Sequence, residues 1–436
     1  MTWRRCTPRP SVAKSRRELS AGASNRNGPV TLRHLVLVCD TAFIDGGSAQ
    51  VAVTSALELA DRGYRVTIFA GVGPAMPELL AHPNVDVVCL DQKDILSDTN
   101  RLRAATQGLW NLTAARAFDA LLARCDREET VVHVHSWTKS LSASPIHAAL
   151  RHRFRIVITL HEFFTVCPIG SLYNHPRAEI CHLQPMSLAC VRENCDSRSY
   201  AHKVWRVARQ VMQQRIAGVP ARVRDFITVS ELSHEVLEPL LPAPSRLHPV
   251  AYPIAAVPAE PVDAAAHEAF AYVGRLSKEK GADLFAAAAM AEGVPHVFIG
   301  DGPSRADVEA ISPGATITGW QDHDGVVAHL REARALVFPS RWYETFGLVV
   351  MEAAALGIPA IVPDSSAAAR NVVDGVTGLI FRSGDVVDLR RKIAMLADDE
   401  RVRAMSRATY DRFWKSPSTI VTHVDRLLDV YATLPA

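Results

Sequence analysis

The sequence lacks any apolar run approaching the roughly 20 residues that a membrane-spanning helix needs. It also lacks an excess of either charge, since 48 Lys and Arg stand against 46 Asp and Glu. This balance argues against binding nucleic acid over the whole surface and leaves only a local basic patch open. We therefore expect a cytoplasmic globular protein without a nucleic-acid partner. A length of 436 residues predicts two domains.

The first 30 residues lack an apolar core segment and are basic and rich in Ser, Pro and Gly. The pair Arg4 and Arg5 is not followed by a hydrophobic stretch, so we expect no secretion signal. This composition predicts a disordered arm over residues 1–30. Without export, the eight cysteines are expected to be reduced thiols that are available to bind metal.

Continuous apolar runs alternate with helical patterns along most of the chain. An apolar run at 34–40 is followed by a glycine pair and a helical pattern at 50–63, and further apolar runs lie at 64–71 and 84–91. This rhythm predicts a parallel sheet with crossover helices.

A Pro-rich passage at 240–263 breaks the periodicity and predicts a linker, after which the same alternation restarts. The fold class is therefore α/β, with two doubly wound Rossmann-like domains facing a cleft. We expect these domains at 31–250 and 251–415, with a C-terminal helix at 416–436 packing back on the first. Ligands bind such folds at the carboxyl ends of the strands.

Residues 338–360 read FPSRWYETFGLVVMEAAALGIPA, with Glu344 and Glu352 eight positions apart. The Ala-rich part predicts a helix that begins near Gly347. Unpaired amides at a helix start favour an anion, and Glu352 would lie roughly 7–8 Å further along the axis. The alternative is a buried helix with a capping glutamate.

Two other strand ends carry residues suited to a phosphate. The stretch VGRLSKEKG places Arg275 and Lys280 just after a strand, where two cations could neutralise a diphosphate. The stretch IGDGPS forms a turn in which Gly302 lets the backbone approach a ligand closely. Basic residues in this position are also often simply solvated.

These stretches, with the later VVDGVTGLIF, resemble in order and spacing the carboxyl-terminal half of family 4 glycosyltransferases over about 140 residues. The resemblance implies a GT-B fold, a nucleoside-diphosphate-sugar donor and a Glu-x7-Glu motif. It assigns Glu352 to the ribose and Glu344 to the donor sugar. It assigns the departing diphosphate to Arg275 and Lys280.

The resemblance further implies that the amides near Phe346, Gly347 and Leu348 hold phosphate. In the first half of the chain, Gly46 and Gly47 lack the dinucleotide-binding spacing. The resemblance implies that their loop closes over the donor phosphates, and the alternative is a plain glycine turn.

Two histidine-containing strand ends complete the candidate site. His133 and His135 alternate along a predicted strand, so their rings should face opposite sides and not share a metal. The stretch TLHEFF resembles a strand end of the family and makes His161 the candidate polar group near the transferred sugar, with Glu162 in place of the commoner Asp. A structural role for His161 is the alternative.

The string Asp322-His323-Asp324 resembles a metal-binding motif of the other large glycosyltransferase fold. It precedes a helical pattern, so we predict helix N-capping instead.

Four cysteines lie within the irregular stretch 163–197. Cys167, Cys181, Cys190 and Cys195 could bind one structural zinc ion, although a tight Cys-x2-Cys pair is missing. Free thiols, disulfides and an iron–sulfur site remain alternatives.

Residues 198–224 contain no acidic residue and place Trp205 among basic side chains. This helical segment would either contact an anionic membrane surface peripherally, on the inner face, or lie solvated at the cleft.

The resemblance thus implies a hexosyltransferase-type glycosyltransferase that acts with retention, and we expect it to act without a catalytic metal. The acceptor would be a glycan, a lipid-linked molecule or a small molecule. A nucleotide-sugar epimerase or hydrolase of the same fold, or a silent nucleotide-sugar-binding protein, is the alternative.

Overall fold

The computed structural model describes residues 32–435, so the predicted arm at 1–30 lies outside the described residues. The strands are β1 (His34–Thr41), β2 (Arg65–Val72), β3 (Val85–Cys89), β4 (Thr130–Val134), β5 (Arg155–Thr159), β6 (Tyr173–Asn174), β7 (Glu179–Ile180), β8 (Asp225–Thr228), β9 (Arg246–Pro249), β10 (Phe270–Val273), β11 (His296–Ile299), β12 (Thr316–Ile317), β13 (Ala335–Val337), β14 (Ala360–Pro363) and β15 (Gly378–Phe381).

The α-helices are α1 (Gly47–Asp61), α2 (Pro77–Ala81), α3 (Arg101–Leu109), α4 (Leu112–Leu122), α5 (Ser144–Arg151), α6 (Leu188–Arg192), α7 (Tyr200–Met212), α8 (Glu231–Leu237), α9 (Ala282–Glu292), α10 (Arg305–Ile311), α11 (His323–Arg331), α12 (Leu348–Ala355), α13 (Val386–Met395), α14 (Asp399–Lys415) and α15 (Ile420–Thr433). A π-helical turn at Gln213–Ala217 extends α7. No helix within residues 32–435 is long and apolar enough to cross a membrane.

Two parallel sheets form the two domains. The first has the order β3-β2-β1-β4-β5-β8-β9, and the second has the order β12-β11-β10-β13-β14-β15. In both sheets the order reverses beside the first strand of the domain, as in doubly wound folds. Each sheet has apolar clusters on both faces, which explains why its strands read as continuous hydrophobic runs. The predicted α/β architecture with two doubly wound sheets is confirmed.

The chain crosses between the sheets twice. After β9, residues 251–263 have no helix or strand and run to the second domain. The last helix, α15, returns and packs on the first domain, where Val424, Leu427 and Tyr431 join the cluster under β1 and α1. A smaller apolar cluster joins the domains and includes Val51 and Phe346.

Two local features differ from the sequence expectations. The helical pattern over residues 100–125 predicts one helix, but the structure has two, because Asn111 is the N-cap of α4 and its side chain accepts a hydrogen bond from the Ala114 backbone N–H. The predicted linker begins later than expected, since β9 still pairs with β8 as the edge of the first sheet. Both differences depend on hydrogen-bond partners, which the hydrophobic periodicity of the sequence does not reveal.

Candidate active site

A cavity of about 730 Å³ lies between the two domains, at the carboxyl ends of their strands. The first domain contributes the loop after β1, which includes Gly46 and Gly47, and the strand end at His161. The second domain contributes Lys280 and the start of α12. Most of the predicted site residues therefore line one cavity, although they come from distant parts of the chain.

Helix α12 begins at Leu348 without a side-chain cap. Gly347 precedes it with φ of 86° and ψ of 54°, a left-handed conformation that glycine adopts readily. A side chain at this position would also meet Ala368 Cβ at 3.0 Å. Since Phe346, Gly347 and Leu348 all line the cavity, the uncapped amides and the positive end of the helix dipole favour an anion there.

Glu344 lies just before this helix start and receives three hydrogen bonds on one carboxylate oxygen. Lys280 Nζ donates to Oε1 over 2.6 Å, and Ser340 Oγ and Trp342 Nε1 each donate over 2.7 Å. Burial alone would raise the pKa of Glu344, but the Lys280 charge and these donors hold that pKa below its usual value. Glu344 is thus an ionised carboxylate fixed in position beside the helix start.

Arg275 differs from its predicted position. Its guanidinium pairs with Glu279 Oε1 at 2.7 Å, and its side chain is 65% exposed and does not line the cavity. Glu279 is four residues away and nearly buried, so it is a closer partner for Arg275 than the helix start. Lys280 is therefore the cation of this pair that faces the cavity.

Gly302 also lies outside the cavity lining. A Cβ at this position would come within 2.4 Å of the Leu276 carbonyl oxygen. Gly302 therefore lets the turn after β11 pack against the loop after β10, which leads to Lys280. Its effect on a ligand would be indirect.

Glu352 lies on α12 and faces a partner that the sequence did not reveal. Its Oε1 is 3.7 Å from His323 Nδ1, and both side chains line the cavity. Burial raises the pKa of Glu352, and the His323 charge opposes that shift. The capping prediction for the neighbouring residue is confirmed, because Asp322 accepts a hydrogen bond from the Gly325 backbone N–H at 2.9 Å.

The loop after β1 covers the start of α12. Gly47 approaches Leu348 so closely that a Cβ would meet Leu348 Cδ1 at 2.8 Å, whereas Gly46 has open space around it. The same loop holds Asp45, which pairs with Lys139 at 2.9 Å. Sequence reasoning missed Asp45 and Lys139 as cavity residues, because neither belongs to a recognisable motif.

His161 is 7% exposed, and both of its ring nitrogens have protein partners. Nδ1 lies 2.5 Å from the Tyr252 hydroxyl, and Nε2 lies 3.0 Å from His135 Nδ1. Burial lowers the pKa of His161 to about 3, so the ring is neutral at neutral pH. Its backbone carbonyl accepts a hydrogen bond from Thr345 Oγ1 at 3.0 Å, which ties the first domain to the residue after Glu344.

The expected opposite orientation of His133 and His135 is wrong. Their ring centroids are 4.0 Å apart, because side chains two positions apart in an extended strand point to the same face of the sheet. His133 instead contacts the Tyr431 hydroxyl and Thr159 Oγ1, each at 2.7 Å.

The cysteine-rich stretch surrounds a buried lysine. Lys203 is 1% exposed, and its Nζ lies 3.1 Å from Cys195 Sγ and 3.7 Å from Cys190 Sγ. Between residues 32 and 435, no three His, Cys, Asp or Glu side chains are grouped so that they could hold a metal ion. An ammonium group between two sulfurs also repels a divalent cation. This arrangement does not favour the zinc site of Cys167, Cys181, Cys190 and Cys195, which stays a prediction.

Sequence comparison matches both halves of the chain. The family described as "Glycosyltransferase Family 4" matches residues 45–254, and "Glycosyl transferases group 1" matches residues 267–399. Both halves of the chain are therefore similar to glycosyltransferase domains. Together with the two-sheet architecture, these matches support a GT-B glycosyltransferase family.

The curated relatives match over a limited region. An alpha-D-kanosaminyltransferase of Streptomyces kanamyceticus is 30% identical over 146 residues, or 30% of this chain and 37% of that protein. A GDP-mannose-dependent alpha-mannosyltransferase of Corynebacterium glutamicum is 30% identical over 173 residues, or 38% of this chain. The matched region spans 40% of the length of that second relative.

Solved structures match the fold over 92% of the chain. A sucrose-phosphate synthase of Thermosynechococcus elongatus superposes with a TM-score of 0.66 and 19% identity, covering 92% of this chain and 98% of that one. Anabaena HepE in complex with UDP and glucose superposes with a TM-score of 0.62 and 15% identity, covering 92% of this chain and all of HepE.

Proposed function

We propose that this chain transfers a glycosyl group from a nucleoside-diphosphate sugar to an acceptor hydroxyl, with retention of the anomeric configuration. One observation carries the proposal. The uncapped start of α12 and the Lys280–Glu344 pair lie together in a cavity between two doubly wound domains. HepE is described in complex with UDP and with UDP-glucose, which supports a nucleotide-sugar donor for this related fold.

The donor phosphates would lie at the start of α12, beside Lys280. In the reaction, the bond from the anomeric carbon to the diphosphate oxygen breaks, and negative charge develops on the diphosphate. Lys280 and the amides of Gly347 and Leu348 would stabilise that charge without reorganising, a contribution of about 3 kcal/mol for a single well-placed donor. In this proposal, Lys280 and these amides stabilise the negative charge that a catalytic metal would otherwise neutralise.

The donor sugar and ribose would extend to either side of these phosphates. Glu352 would accept hydrogen bonds from the ribose hydroxyls, and Glu344 would contact the transferred sugar. The acceptor hydroxyl would approach from the first domain, near Glu162 and Asp45, which also line the cavity. Its oxygen attacks on the face that the diphosphate leaves, and its proton passes to the leaving diphosphate.

Both ring nitrogens of His161 are already paired with protein groups, so His161 would act mainly through its backbone and its position. The Thr345 hydrogen bond to the His161 carbonyl and the Gly47–Leu348 contact hold the domains together around the cavity. Such closure excludes water and orients the two substrates.

The test is a screen of UDP-, GDP- and ADP-sugars with pooled glycan, lipid-linked and small-molecule acceptors. We expect one donor to give an acceptor-dependent product whose anomeric configuration, read by NMR, equals that of the donor. Sugar release without acceptor would favour a hydrolase, and an altered donor would favour an epimerase. Donor binding by thermal shift without turnover of any kind would favour a silent binding protein.

A further inference from the structure

Helix α7 turns its polar side inward. The buried faces of α7 and of the turn after it carry Lys203, Arg209, Gln210 and Gln213. Gln213 Nε2 donates to the Phe164 carbonyl at 3.0 Å, and Gln210 Nε2 donates to the Thr165 carbonyl at 3.2 Å. The inward side chains thus satisfy backbone groups of the loop that follows His161. This explains why polar residues are buried here.

The outward side of α7 is apolar. Tyr200, Val204 and Val211 are 42%, 51% and 42% exposed, and Ile216 in the following turn is 47% exposed. A spacing of four residues from Tyr200 to Val204, and of seven from Val204 to Val211, places these side chains on one helix face. A surface helix of a globular protein normally has the opposite arrangement, with its apolar face in the core. About half of the surface of each of these apolar side chains is therefore left exposed to solvent.

Exposed basic residues lie at both ends of this stripe and form its basic border. Residues 198–224 contain no Asp or Glu, and Arg198 and Arg215 are exposed at the two ends of the helix. Beside α7, a groove of about 280 Å³ lies between α3 and α7, lined by Leu96 and Trp205 and bordered by Arg101. Apolar, aromatic and cationic side chains thus occur together on one surface.

We propose that the outward face of α7, defined by Tyr200, Val204, Val211 and Ile216, docks on an anionic lipid bilayer. Exposed apolar side chains would enter the boundary between headgroups and acyl chains, while the arginines contact lipid phosphates. Tyrosine and tryptophan suit this boundary because their rings are apolar and their tips are polar. A second copy of the chain is a poorer partner, since pairing two such faces would bring two basic borders together.

Docking would affect the candidate site through the inward face of the same helix. Because α7 holds the loop after His161, a docked α7 keeps the acceptor side of the cavity close to the lipid headgroups. If the chain transfers sugars as proposed above, this arrangement suits an acceptor carried by a lipid. The docking itself does not depend on that reaction.

The experiment is co-sedimentation of the full chain with vesicles of phosphatidylcholine alone or mixed equally with phosphatidylglycerol. We expect binding to the mixed vesicles only, and weaker binding at higher salt. The double variant V204N/V211N should reduce binding at least tenfold. Loss of Arg198 in R198Q should reduce it about fivefold, the value of one basic side chain near such a surface.

The matched control is V387N/V421N, which changes two valines that are each 50% exposed on α13 and α15. This control should bind as the unaltered chain does, and both double variants should melt at similar temperatures. Failure of the unaltered chain to bind mixed vesicles would overturn the proposal. An equal loss of vesicle binding in V387N/V421N and V204N/V211N would also overturn it. A dimer in sedimentation velocity that V204N/V211N dissociates would assign the stripe to self-association instead. Turnover with a soluble acceptor should be equal in all variants, which separates this proposal from the proposed reaction.

Discussion

Lys280 donates a hydrogen bond to Glu344 over 2.6 Å and joins two loops that are 64 residues apart in the sequence. The Lys280 ammonium also lies 5.3 Å from the centroid of the Trp342 ring. Both contacts hold the ammonium in the cavity that the uncapped start of α12 also lines. The pair therefore fixes one positive and one negative charge at the place where the proposed donor diphosphate and sugar would meet.

Lys280→Met should lower kcat about 100-fold, because the developing diphosphate charge loses its facing cation. The measurement is steady-state kinetics with the donor that the screen identifies. Lys278→Met is the matched control, since Lys278 is exposed and does not line the cavity. Arg275→Met should lower kcat less than fivefold, because the Arg275 guanidinium pairs with Glu279 rather than facing the cavity. A larger loss for Arg275 than for Lys280 would contradict the assignment.

Glu344→Gln should lower kcat by about two orders of magnitude while donor binding changes little. The amide keeps an oxygen that accepts hydrogen bonds from Ser340 and Trp342, so the loop should keep its shape. Kinetics and a donor titration by calorimetry measure the two effects. Glu309→Gln changes an exposed carboxylate on α10 and should have no effect on either. Unchanged turnover in Glu344→Gln would exclude a catalytic role for Glu344.

Gly302→Ala should lower the free energy of unfolding by about 1–3 kcal/mol, because the new Cβ meets backbone atoms of Leu276 at 2.4 and 2.8 Å. Denaturant unfolding measures the change. Gly46→Ala is the control, because a Cβ there has no neighbour within 4 Å. Equal stability of the two variants would show that the turn after β11 relaxes without cost.

The protein should lose stability as the pH falls from 6.5 to 5. Burial lowers the pKa of His161 to about 3 and that of His423 to about 4, whereas the unfolded value is 6.5. The unfolded chain therefore binds protons in this range that the folded chain does not. Each such histidine contributes a slope of up to about 1.4 kcal/mol per pH unit.

Denaturant unfolding between pH 5 and 6.5 tests this slope, and His423→Gln should reduce it. The variant keeps a donor for the Ala251 carbonyl, which His423 Nδ1 contacts at 2.7 Å. His202→Gln alters an exposed histidine and should leave the slope unchanged. A pH-independent free energy of unfolding would show that the buried rings gain protons in the folded state.

Much of the fold was predictable because buried parallel strands leave continuous apolar runs, as at 34–40 and 64–71. The start of α12 was also predictable, since Gly347 separates poor from good helix formers. Side-chain partners were not predictable. Glu279 lies only four residues from Arg275, but the sequence did not favour this ion pair over a contact with a ligand, and nothing near Glu352 indicated His323. His133 and His135 are two positions apart and therefore share one face of the strand, so their proximity was predictable and the expectation of opposite faces misread the strand period.

Because α15 packs on the first domain, the two domains cannot be separated by a single cut in the chain without removing part of the first. A fragment that ends in the segment between the domains, near residue 260, would lack Val424, Leu427 and Tyr431. The apolar surface beside α1 that these side chains cover would then be exposed to solvent. His133 would also lose the hydroxyl that it contacts in the interior. The first half is thus not a self-sufficient folding unit, and a split protein should recover its solubility only when the missing helix is supplied in trans.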